Sequence, residues 1–184
     1  MATTQTEVKE EVKIPAAVEL TLQKSIVQVK GPKGTLSRDF IHPKIILTKQ
    51  ENALVVSCTD APHKKEKALV GTIAAHVHNM IEGVTEGFEY KLKTVFSHFP
   101  IKTSIEGDTF VIQNFLGERS PRKAKILKDV KVVIQAEMIT VTGPDIEHVG
   151  QTAANIERAT KIKNRDVRVF QDGVYIISKA GGKQ

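Results

Sequence analysis

Apolar and polar positions in this chain follow two registers, and the registers repeat. A short alternating run opens "VELTLQKSIVQV" (18–29) and "IKTSIEGDTFVI" (101–112), each predicting a strand, a tight polar turn and a second strand. "KQENALVVSC" (49–58) and "IQAEMITVTG" (134–143) predict strand, turn and strand again. Helical spacing then takes over. Leu69, Val70, Ile73, Val77, Met80, Ile81 and Val84 form one apolar stripe, and Ile146, Val149, Ala153, Ile156 and Ile162 form another. The phrase "VGTIAAHV" begins at Val70 and its counterpart "VGQTAANI" at Val149, 149 − 70 = 79 residues later. "EGFEY" (86–90) and "DGVYI" (172–176) each read as a turn into a last strand, so the order of elements is the same in both halves.

Local chemistry supports the two helices. Pro62 and Pro144 suit a first turn, where the missing N–H has no intrahelical partner anyway, and Asp145 and Glu147 suit the positive end of the dipole. Gly83 and Asn164 are the expected stops. Gly71, Ala74 and Ala75, matched by Gly150, Ala153 and Ala154, are expected to let each helix approach its sheet closely.

The expected fold class is therefore α+β: two tandem duplicated domains, each a small, mostly antiparallel sheet packed against one helix. The expected divisions are a flexible N-terminal tail (1–13), a first repeat (14–85), a second repeat (86–178) and a C-terminal tail (179–184).

Composition adds class and setting. The chain has 184 residues, 40% hydrophobic and 26% charged, which suits a folded body, and its lack of Trp leaves the core to Val, Ile, Leu and Ala. A single Cys58 and no apolar leader point to a reducing, cytoplasmic setting. No window approaches the roughly 18 apolar residues of a membrane span.

Catalytic and metal chemistry find little to stand on, and no catalytic residue, metal ligand, cofactor or small-molecule substrate is expected. His76 and His78, two apart, point roughly 200° apart around a helix and cannot share a metal. His42, His63, His98 and His148 stand alone. Cys58 at a strand end reads as packing, "GPKG" (31–34) and "GPD" (143–145) as plain turns, and Asp108 and Asp172 as turn residues beside glycines.

Charge has a clearer pattern. Up to Val95 there are 13 basic and 11 acidic residues (+2); beyond it there are 14 and 10 (+4), together the +6 of the chain. The excess lies in two stretches, 119–131 and 158–168. "GERSPRKAK" is broken by Gly117, Ser120 and Pro121, so Arg119, Arg122, Lys123 and Lys125 are expected to project as a flexible cationic finger. "KIKNRDVRV" leaves the second helix; Lys161 and Lys163 there can answer the helix dipole, but Arg165 and Arg168 lie beyond its reach. With Gln171 and Tyr175 nearby, this surface fits RNA backbone binding: cations on phosphates, polar groups on 2′-hydroxyls. The residues alone leave a second reading open, a protein-binding adapter whose helices present an exposed apolar patch.

"ITVTGPDIEHVGQTAANIERATKIKNRDVRVFQDGVYIISK" (139–179), through "GPD---VGQ-AA-I" and "R-F-DG-Y", resembles the second domain of the family of the sixth large-subunit ribosomal protein in its archaeal and eukaryotic form. "VKGPKGTLSRDF" (29–40) is similar to that family's first-domain hairpin, and the likeness runs from about Ile14. The resemblance implies a non-enzymatic large-subunit component. Its implied partners are rRNA near the base of the sarcin-ricin region and neighbouring ribosomal proteins, with translational GTPases landing beside it. It also implies RNA contacts at Lys163, Arg165, Arg168, Gln171, Tyr175 and Lys179, and at Lys183 in "KAGGKQ".

Overall fold

The structure is a computed structural model that describes residues 8–58 and 63–179. Pro62, Lys183 and the first seven residues of the expected tail lie outside the described residues. The chain divides into two units, one ending at Glu86 and the other beginning at Gly87.

In the first unit, β1 (Lys9–Lys13), β2 (Glu19–Gln23), β3 (Ile26–Gly31), β4 (Gly34–Asp39), β5 (Ile45–Lys49) and β6 (Ala53–Cys58) precede α1 (Lys64–Thr85). They form two three-stranded antiparallel sheets, ordered β1-β6-β5 and β2-β3-β4. In the second unit, β7 (Phe88–Val95), β8 (Lys102–Glu106), β9 (Thr109–Gln113), β10 (Arg122–Lys125), β11 (Lys131–Gln135) and β12 (Met138–Gly143) precede α2 (Ile146–Ala159), and β13 (Gly173–Ser178) follows. Here the sheets run β11-β12-β7-β13 and β10-β9-β8, again antiparallel throughout. Each unit is thus α+β with one helix, but its strands divide between two sheets instead of forming one.

Alternation decides which side chains face in. Leu20, Val27, Val29, Leu54 and Val56 meet the α1 stripe of Val70, Ile73, Val77 and Val84 in one core. Leu92, Phe110, Ile112, Ile139 and Val141 meet Val149, Ala153 and Ile156 in the other.

Four expectations change. Lys9–Lys13, expected in a flexible tail, form β1: the backbone pairs with the Val-rich β6, and Val12 is buried. "EGFEY" does not close the first repeat. It opens β7, the counterpart of β1, and β13 is an added strand paired along β7. The helix ends differ too. α1 passes through the buried Gly83 to Thr85, and Gly87 at φ 73° makes the turn; α2 stops at Ala159, leaving Ile162 and Asn164 in the connection. Pro144 precedes the N-cap Asp145, whose carboxylate accepts from Glu147 N at 2.8 Å.

The helix glycines are not the points of closest approach. A Cβ at Gly71 would come no nearer than 3.4 Å to Glu10 Oε1, and at Gly150 no nearer than 3.4 Å to Tyr90 Oη. Ala74 and Ala153 are buried, whereas Ala75 is exposed and Ala154 half-buried. The tight glycines stand at strand ends. At Gly31 a Cβ would lie 2.8 Å from Val84 O, and at Gly143 it would lie 2.9 Å from Asp129 O. "GPKG" is accordingly a hairpin turn held on α1, with Lys33 N donating to Val84 O at 2.9 Å and Lys33 Nζ to Glu86 O.

Candidate nucleic-acid interface

The segment between α2 and β13 is irregular but tied to itself. Thr160 ends the helix: its buried hydroxyl donates to Glu157 O at 3.0 Å and accepts from Val174 N at 3.0 Å, joining helix end and β13. Asn164 turns the chain at φ 58°. Asp166 O accepts from Val169 N (3.1 Å) and Phe170 N (3.0 Å), and its carboxylate accepts from Arg168 N (2.9 Å) and Nη2 (3.0 Å). The Arg168 side-chain bond, then the backbone one, holds the Asp166 carboxyl below its ordinary value. Arg165 lies over the Phe170 ring, 4.8 Å from its centroid. Asp172 is buried and accepts from Ser97 N, a structural duty.

On this frame Lys163, Arg165, Arg168 and Gln171 are all exposed, with Lys179 exposed just past β13. Tyr175, 41% exposed, donates to Gln171 O at 3.0 Å and brings β13 to the loop. Arg168 is 87% exposed, so its pairing with Asp166 is a surface contact that a phosphate can displace.

The expected finger is not a finger. After a 3-10 turn (Phe115–Gly117), Arg122–Lys125 form β10 against β9, and alternation sends Lys123 and Lys125 outward while Arg122 and Ala124 turn in. Arg122, its side chain 21% exposed, takes Glu118 with Nε (2.9 Å) and Nη2 (2.6 Å). Its Nη1 donates to Ala159 O and Lys161 O, both at 3.0 Å, and its guanidinium lies 4.2 Å from the Phe115 ring. Orphan carbonyls at a helix end and a fork of five donors explain the change, so Arg122 is a brace within the protein. Arg119 remains exposed in the preceding loop.

That brace joins the two basic stretches. Glu118 is held below its ordinary carboxylate value by the Arg122 hydrogen bond first, and by the charges of Arg122 and Arg165. Arg165 therefore stands within electrostatic reach of Glu118, 47 positions earlier (165 − 118). Sequence reasoning missed Phe115, Glu118 and Phe170 as the groups that hold these cations. Only the i, i+4 spacing of Glu118 and Arg122 could have signalled one of them.

Comparison with known proteins agrees with the duplicated architecture. The sequence profile of the family described as "Ribosomal protein L6" matches residues 14–87 and again 99–173. The large ribosomal subunit protein uL6 of Methanobrevibacter smithii is 53% identical over 172 residues, covering 94% of this chain and 96% of that protein.

Proposed function

This chain belongs to the ribosomal protein L6 family, and from that premise we propose that it binds large-subunit rRNA through the second unit's 160–172 connection and the adjoining β13. The family is structural, not enzymatic, and the chain's role is that of a large-subunit component. The finer reading follows the sequence resemblance: an rRNA site near the base of the sarcin-ricin region, neighbouring ribosomal proteins beside it, and translational GTPases landing close by.

One observation carries the RNA reading. Lys163, Arg165 and Arg168 sit on one exposed, self-tied segment, so little ordering entropy is lost when it meets phosphates. Lys123 and Lys125 are exposed on β10, on the side opposite Arg122. An adapter would need an apolar helix face in solvent, whereas both helices bury their stripes against their own sheets.

Sucrose-gradient fractionation tests the proposal. Wild-type chain is expected to co-sediment with large subunits and to wash off in high salt. Lys163→Glu with Arg165→Glu is expected to stay at the top of the gradient while remaining folded. Normal incorporation of the double variant would refute this segment as the anchor.

A further inference from the structure

Beside the exposed cations lies a recess with an apolar wall that phosphate binding does not use. It measures about 360 Å³, near the small end of the roughly 300–1,000 Å³ range of ligand cavities. Ile162, Val167 and Tyr175 form apolar wall, Glu157 supplies a carboxylate, and Arg158 and Lys161 supply charge.

We propose that this recess receives one unpaired nucleobase of the bound RNA, stacked on Tyr175, with its N–H edge toward Glu157 and its phosphates toward Arg158 and Lys161. The proposal rests on the rRNA-binding reading and adds a base-accepting site to it.

Several features suit that occupant. Tyr175 is a pre-set platform: its hydroxyl is bonded to Gln171 O, and its ring lies over Gly173, where a Cβ would come within 3.1 Å of Cζ. Preorganisation of this kind lowers the entropy lost on stacking. Val167 is 62% exposed within a loop that is otherwise held by its own hydrogen bonds, so an apolar surface is left for something else to cover. The Glu157 carboxylate is aimed by Ile176 N at 3.1 Å, and amino or imino groups of a base are natural donors to it. Arg158 and Lys161 are exposed and form no ion pair among the described residues. Apolar walls, one acceptor and flanking cations match the three parts of a nucleotide; an apolar peptide side chain would use the walls alone.

The test uses the full chain. In NMR titration, GMP and AMP are expected to shift the Thr160, Val167 and Tyr175 signals, while ribose 5-phosphate does not. Equal shifts with ribose 5-phosphate would mean a phosphate site only and overturn the proposal. Val167→Trp, which fills the recess, is expected to weaken binding to large-subunit rRNA roughly five- to 150-fold with no change in salt slope, the range of one base–aromatic stack. Tyr175→Leu, which keeps the apolar wall but removes the ring, is expected to fall in the same range. Wild-type affinity in both variants would remove the base site and leave the phosphate-binding reading intact. Normal rRNA affinity with loss of a neighbouring ribosomal protein from the particle would assign the recess to a peptide side chain and likewise overturn it.

Discussion

Glu118 and Arg122 grip each other through two hydrogen bonds, 2.9 and 2.6 Å, while the same guanidinium closes the C-terminal end of α2. A helix end, a strand and the connection that leaves the helix thus share one side chain.

Arg122→Ala is expected to destabilise the protein by about 2–3 kcal/mol, because charged hydrogen bonds and the carbonyls of Ala159 and Lys161 lose their partner together. Arg122→Lys should recover little of this, since an ammonium cannot reproduce the fork. Denaturant melts check both; a loss below about 0.5 kcal/mol for the alanine variant would show the brace to be incidental.

Acid should loosen the same brace. Glu118 has a depressed carboxyl in the folded state, so the unfolded state binds more protons and stability rises with pH across that interval. The contribution is complete above the ordinary Glu value of about 4.5 and disappears as pH falls through the lower folded value. Melting wild type and Glu118→Gln from pH 6 to pH 3 should give a shallower decline in the variant; parallel curves would contradict this.

The glycines should divide into two classes. Gly71→Ala and Gly150→Ala each have room for a methyl group at 3.4 Å from a movable side-chain tip, so each should stabilise its helix by up to about 1 kcal/mol. Gly31→Ala and Gly143→Ala would press Cβ against backbone oxygens at 2.8 and 2.9 Å, and should cost about 1–3 kcal/mol. Thermal melts of the four single variants decide the matter.

Salt dependence separates electrostatic contacts from the rest. With about five phosphates neutralised, log K against log salt should fall with a slope near −4. Removing Lys163 should make the slope shallower by about 1, whereas Arg122→Lys, altering a brace, should leave it unchanged. Filter binding over a salt series is the measurement.

Much of this was legible along the chain because it depends on neighbours in sequence. Alternation placed the first hairpin of each half, and helical spacing placed both apolar stripes, since those patterns must match the geometry of the element that buries them. Helix ends were less legible. Thr160 stops α2 because Val174, 14 positions later, needs its hydroxyl, and no local signal records that need. The cationic connection was visible as a run of charges, but Phe115, Glu118 and Phe170, which hold its arginines, were not.

By itself, then, the sequence determined the duplicated α+β plan, the faces each element buries and the half of the chain that carries excess positive charge; these follow from periodicity and composition. Tertiary structure alone decided that β7 opens the second unit and pairs with β13, and that Arg122 turns inward while Lys123 and Lys125 face out. It also decided that Tyr175, Val167 and Glu157 surround one recess. Strand pairing and the satisfaction of helix-end carbonyls join groups far apart along the chain, and those choices are made only when the chain closes on itself.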